Sequence, residues 1–245
     1  MIDLTNTTFM IPIMLDSDQR RINIKHQLRH LTQSLKCVIK VIESDTEPKL
    51  PNCKFMRQYV NDIEYSFVPI VKNTFHRTKL LNLMTRSANT PVVVIHDADV
   101  FIHQAVLQKA TAVVLAGLDV CYPYIRYRHI SEFDKIYKNS GLITRLSLGG
   151  SVFCNRESYM LSGMENERCV SWGCEDVERY SRWCKFGFTI ARIDADLYHL
   201  EHPRPVNSSI HNPHYKNNQT ECDKVSKMSR EQLLKYVESW EWANV

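Results

Sequence analysis

The chain has 245 residues, is 44% hydrophobic and 24% charged, and carries a net charge of +4. That is enough to bury the core of one large α/β domain or two small ones, and the mild excess of base, with no block of it, argues against a nucleic-acid binder. No apolar run is long enough to span a bilayer and nothing resembles a signal peptide, so the expectation is a cytoplasmic protein with a small anionic ligand, or one resting on a weakly acidic membrane surface. The eight cysteines contain no C-x-x-C pair and read as buried free thiols of a reducing compartment.

In chain order, "FMIPIML" (9–15) predicts a first core strand, and residues 20–35 a helix with Ile24, Leu28, Leu31 and Leu35 on one face. A second strand follows at 37–43, then a polar, Pro-containing loop, a strand at 64–71 and a helix at 77–88. The run Val92–Ile95 reads as a strand buried on both faces, 103–117 as a helix ending at Gly117, and "DVCYPYI" as another strand. Strands alternating with helices predict a mostly parallel central sheet covered on both sides, with no linker that divides the chain. In such sheets ligands sit at the carboxyl ends of the strands.

Three Asp-x-Asp triplets occur: Asp16–Asp18, Asp97–Asp99 and Asp194–Asp196. The first lies between strand and helix and suits N-capping; the third falls in a strand-turn-strand pattern. Only Asp97 and Asp99 end a strongly apolar strand, which makes that pair the candidate metal site. Carboxylates with one or two imidazoles, completed by phosphate oxygens, suit Mn²⁺ or Mg²⁺, and a diphosphate ligand would bind together with the metal.

Four landmarks in order, "FHRTKLLNLM" (75–84), "DADVF", "LGGSVFCNRESYMLSG" and "SWGCED", resemble the β-1,4-galactosyltransferases, and the second half also resembles the polypeptide GalNAc-transferases. The resemblance runs from about Phe9 to Arg204. It implies a single GT-A domain over 1–245, with a nucleotide-binding half at 9–117, a donor and acceptor half at 118–204, and a lid and helix at 205–245. It implies an enzyme that uses a UDP-sugar and Mn²⁺ (or Mg²⁺) and transfers a hexose, Gal or GalNAc, with inversion to a glycan or glycolipid acceptor.

On this resemblance Pro12 and Arg20 or Arg21 border the uridine, Phe75 packs the base, and Arg77 meets phosphate, for which its fork geometry suits. Asp97 lies near the ribose, and Asp99, His202 and His199 hold the metal. Gly149 and Gly150 admit the donor sugar, and Ser147 leaves room for a 2-N-acetyl group. Trp172 and Gly173 form a flap, Glu175 binds sugar hydroxyls, and Asp176 is the general base. Val177 departs from the pattern, since the family often continues acidic there. From their own chemistry Glu175 and Asp176 also suit the N-terminus of a helix over 175–186. Residues 204–221 are expected as a lid. Residues 229–242 are expected as an amphipathic helix capped by Ser229, with Leu233, Leu234, Val237 and Trp240 packing on the domain or docking on a membrane. The alternatives are a retaining transferase with another UDP-sugar, a D-x-D phosphohydrolase, which needs a later acidic pair and a lysine that Asp194 and Asp196 match poorly, and a silent sugar-nucleotide binder.

Overall fold

The period-2 alternation of the apolar strands decides the architecture, because it sends successive side chains to opposite faces of a sheet. Phe9, Ile11, Val92 and Val94 join one buried cluster, and Met10, Val93 and Ile95 join the other. In the computed structural model, which describes residues 1–71 and 74–243, the chain forms β1 (Ile2–Ile13), α1 (Asp18–Ser34), β2 (Leu35–Glu43), β3 (Glu64–Phe67), α2 (Arg77–Ser87), β4 (Val92–His96), β5 (Val100–Ile102) and α3 (Gln104–Leu115). There follow β6 (Val120–Tyr122), β7 (Arg126–Ile130), β8 (Leu142–Arg145), β9 (Ser151–Asn155), α4 (Arg156–Leu161), α5 (Glu175–Phe186), β10 (Ile190–Arg192), β11 (Asp196–Leu200), α6 (Tyr215–Lys227) and α7 (Arg230–Glu238).

Seven strands form the central sheet in the order β10-β6-β9-β4-β1-β2-β3. It is parallel except for β9, which runs antiparallel to both β4 and β6. Helices α1 and α3 cover one face through Ile24, Leu28, Leu31, Leu107 and Val114, and α2 and α5 cover the other through Leu80, Leu81, Met84 and Trp183. With both faces covered, the strands read as continuous apolar runs. The single α/β domain expected from the strand-helix alternation is therefore present.

A second sheet, β5-β11-β7-β8, was not legible in the sequence pattern. In it β11 is antiparallel to β5 and parallel to β7. The two sheets meet where β4 ends and β5 begins, at residues 97–99, and this junction positions the site.

Several local expectations need correction. The 64–71 strand stops at Phe67, just before Pro69, which has no N–H for a ladder; Val68 and Ile70 still donate to Glu43 and Asp45. Residues 72–73 lie outside the described residues. The 204–221 stretch is a loop only to His214, because α6 starts at Tyr215. Its polar sequence is held by tertiary contacts, chiefly those of the buried Asn218. In the last helix Ser229 forms the expected cap, and Leu233, Val237 and Trp240 are buried beside Val225 and Phe186, whereas Leu234 points outward. This apolar face is thus spent on the domain. No helix among the described residues is long and apolar enough to cross a membrane.

Candidate functional site

β4 delivers its last residue, His96, into full burial, where Gln27 (2.7 Å) and Ser151 (2.9 Å) hold the two ring nitrogens. Burial pushes its pKa down to about 3, so the ring is a neutral structural post. The next amide, that of Asp97, donates to the Gly150 carbonyl (2.8 Å), and the Asp99 carbonyl accepts from Leu200 (2.8 Å). The Asp-x-Asp turn is thus pinned to β9 on one side and β11 on the other.

The β11–β5 register sets His199 opposite Val100, one residue beyond Asp99. His199 Nε2 lies 3.7 Å from Asp99 Oδ1, and His202 Nε2 lies 3.1 Å from Oδ2. Asp99 is 5% exposed. Burial alone would raise its pKa, but His199 and His202 outweigh it and hold the carboxyl at about 2. Burial lowers the pKa of His199 against the pull of Asp99. The ligand atoms of Asp99, His199 and His202 all lie within 4.8 Å of one another. His199 Nδ1 is buried and has no hydrogen-bond partner. One carboxylate and two imidazoles, with room for oxygen ligands on the cavity side, fit a Mn²⁺ ion.

Around this cluster lies a cavity of about 420 Å³. Most residues singled out in the sequence, though not Gly173, line it: Pro12, Arg20, Phe75, Arg77, Asp97, Asp99, Gly150, Trp172, Glu175, Asp176, His199 and His202. Ser147 and Gly149 do so too, whereas Arg21 is exposed and paired with Asp18. Arg77 opens α2 and donates through Nη2 to Asp97 (2.7 Å), while its buried Nη1 has no partner among the described residues. Burial opposes the guanidinium charge, but Asp97, Asp176 and Glu175 outweigh it and raise its pKa. An unpartnered N–H on a permanently charged group at a cavity wall is a ready donor to phosphate.

The opposite wall is built at the start of α5. Ser171 (φ 63°), Gly173 (φ 120°) and Cys174 (φ 67°) all adopt the left-handed region, which turns the chain sharply into the helix. Glu175 folds back to accept from the Gly173 amide (2.8 Å). Burial, with the neighbouring Asp176 charge, raises its pKa to about 7. Asp176 accepts from Arg179 Nη2 (2.6 Å). A Cβ added at Gly149 would sit 2.6 Å from Asp176 Oδ2, so only glycine lets the backbone approach this carboxylate. The indole of Trp172 stacks on Tyr215, with ring centroids 5.9 Å apart and planes 9° apart. Asn218 clamps Val170 through both its amide (3.0 Å) and its carbonyl (2.8 Å), and Asn212 donates to the Trp172 carbonyl (2.7 Å). Ser171 donates to the Asn207 carbonyl (2.8 Å), so the Trp172 loop and the 203–214 loop are stitched together.

Tyr127, His129 and Thr144 from β7 and β8 also line the cavity although the sequence did not point to them, and so do Arg204, Asn207 and Ser208 of the segment expected as a lid. The alternation in "RYRHI" was the available signal: Tyr127 and His129 face the cavity, and Arg126 and Arg128 bind Asp196 on the other side. Asp194 and Asp196 are spent on these arginines and do not line the cavity, in keeping with their poor match to the later acidic pair of a D-x-D phosphohydrolase.

Residues 126–204 match the family described as the N-terminal domain of galactosyltransferase. No curated protein sequence matches the chain. Among solved structures, a mutant of Drosophila β1,4-galactosyltransferase 7 in complex with manganese, UDP-Gal and xylobiose superposes with TM-score 0.59 at 14% identity, over 94% of this chain and 84% of that one. Staphylococcus aureus TarS in complex with UDP-GlcNAc gives TM-score 0.62 at 12% identity, over 97% and 72% of the two chains. Mycobacterium tuberculosis glucosyl-3-phosphoglycerate synthase, with Mn²⁺, UDP-Glc and phosphoglyceric acid, gives 0.57 at 11%, over 89% and 79%. The fold is that of the GT-A glycosyltransferases.

The raised pKa of Glu175 has a consequence for stability. Its folded-state value of about 7 lies above the unfolded value of about 4.3, so the folded chain holds this proton more tightly. The corresponding stability is complete below the unfolded value and is lost as pH rises through the folded one. Urea unfolding of the ligand-free protein between pH 4 and 8 is expected to show that decline, and Glu175→Gln is expected to flatten it; an unchanged slope in the variant would refute the assignment.

Proposed function

We propose that this chain, galactosyltransferase-like in its family match and GT-A in its fold, is a metal-dependent inverting glycosyltransferase that moves a hexose from a UDP-sugar to a hydroxyl of a glycan or glycolipid. Galactose and N-acetylgalactosamine are the favoured sugars, Ser147 at the cavity wall leaving space for the 2-N-acetyl group. The observation that carries the reading is the meeting, in one cavity, of the Asp99–His199–His202 cluster, the unpartnered Arg77 N–H and the Asp176 carboxylate.

In this reading Asp99, His199 and His202 hold a Mn²⁺ or Mg²⁺ ion, which when bound neutralises charge on the departing diphosphate. Arg77 donates to the phosphates, and Asp97 orients both Arg77 and the ribose. Pro12, Arg20 and Phe75 border the uracil. Gly149 and Gly150 let the sugar lie against the backbone, and Glu175 binds its hydroxyls. Asp176 takes the proton of the acceptor hydroxyl as that oxygen attacks the anomeric carbon. Trp172 closes over donor and acceptor, and the 203–214 loop, bonded to the Trp172 loop through Asn207 and Asn212, is the lid that moves with it.

Two experiments test this. UDP-Gal, UDP-GalNAc, UDP-GlcNAc and UDP-Glc are screened for Mn²⁺-dependent UDP release, and Asp176→Asn is expected to lower turnover by about 10²–10⁴-fold with UDP affinity retained; near-normal turnover in that variant would remove Asp176 as the base. Limited proteolysis is expected to cut between residues 203 and 214 in the free protein and to be suppressed by Mn²⁺ with UDP. Equal cutting in both states would count against the lid.

A further inference from the structure

We propose that Arg179 is a positioning residue for the transfer reaction: its guanidinium locks one oxygen of Asp176 and ties the carboxylate to the Gly149 wall, so that the other oxygen is the one presented to the acceptor. The inference rests on the reading of Asp176 as the base.

Arg179 is fully buried, yet it lies one helical turn from a cavity residue. Its Nη1 donates to both oxygens of Glu165 (2.9 Å each), and its Nη2 donates to Asp176 Oδ1 (2.6 Å) and to the Leu148 carbonyl (3.3 Å). The fork therefore spans two carboxylates and the residue before Gly149. Glu165 is itself immobilised. Tyr159 donates to its Oε1 (2.7 Å), and Asn82 binds both its amide and its carbonyl (2.9 Å each). The Trp183 ring lies 5.3 Å below the guanidinium. No rotamer change of Arg179 is available without breaking this set, so the position of Asp176 Oδ1 is inherited from the core. Oδ2 is left against Gly149, which lines the cavity with Asp176.

The same contact separates the roles of two adjacent acids. Glu175 receives a backbone amide, and Asp176 receives the buried Arg179 guanidinium. The other charged or titratable groups acting at Asp176 are Glu175 on its own helix, Arg77 on α2, and the phenols of Tyr122 and Tyr124, which burial keeps neutral. All of these stay in place when Arg179 is changed.

The test uses Glu165→Gln/Arg179→Met, which removes both buried charges together and strands neither. In the full chain, kcat for Mn²⁺-dependent UDP release from UDP-galactose is expected to fall by about tenfold or more in this variant, while KM stays within about twofold. Arg179→Lys keeps the charge but cannot span both carboxylates and Leu148, so its kcat is also expected to fall by about tenfold or more with KM unchanged. Wild-type kcat in the folded double variant overturns the proposal and leaves the base reading standing; the base reading fails instead if Asp176→Asn turns over normally. Should the double variant not fold, wild-type kcat in Arg179→Lys overturns the proposal, and a lowered kcat with unchanged KM supports it.

Discussion

A carboxylate buried to the extent of Asp99 is costly unless its charge is held, and here two imidazoles hold it. This arrangement depends on a topological fact rather than on local sequence. The chain leaves the large sheet at the end of β4 and enters the small sheet as β5, and Asp99 occupies the crossing. β11 then returns antiparallel to β5 in the register that brings His199 alongside. A one-residue slip of that register would turn His199 to the opposite face of the strand. Asp99 and His199 are thus held by the two sheets, while His202 lies just beyond the end of β11.

The acidic pair on α5 illustrates a second physical point. Glu175 and Asp176 are neighbours in the chain, but the sharp left-handed turn at Cys174 sends one toward the Gly173 amide and the other toward Arg179. Environment, not residue type, separates their chemistry. The Trp172 loop that precedes them is anchored by asparagines of the 203–218 region rather than by apolar packing. Such polar contacts can be exchanged for others at modest cost, which suits a segment that moves.

Much of the site was readable from the sequence because its residues sit at the ends of strongly patterned elements. The run Val92–Ile95 could only be a doubly covered strand, so the Asp97–Asp99 turn had to lie at its carboxyl end. The helix over 175–186 matched its bounds because charged and apolar residues alternate there with helical period and Gly187 stops it in the left-handed region. The β7–β8 half of the small sheet was not legible, since β8 is an exposed edge and β7 carries arginines and a histidine where a core strand would carry valines. The helix over 215–227 was hidden for the converse reason. Its asparagines and threonine favour loops, and only the partners of Asn218, distant in the chain, make the helix worthwhile. Tyr127 and His129 reach the cavity through the first of those regions and were missed with it.

The central claim is that the junction of the two sheets is a divalent-cation site shared with a nucleotide diphosphate. The most direct measurement is anomalous scattering at the manganese edge from crystals grown with Mn²⁺ and UDP. The account predicts a single strong peak between the Asp99 carboxylate and the imidazoles of His199 and His202, with diphosphate oxygens on its cavity side. A peak elsewhere in the cavity, or ordered UDP on Arg77 with no metal between those three side chains, would contradict it.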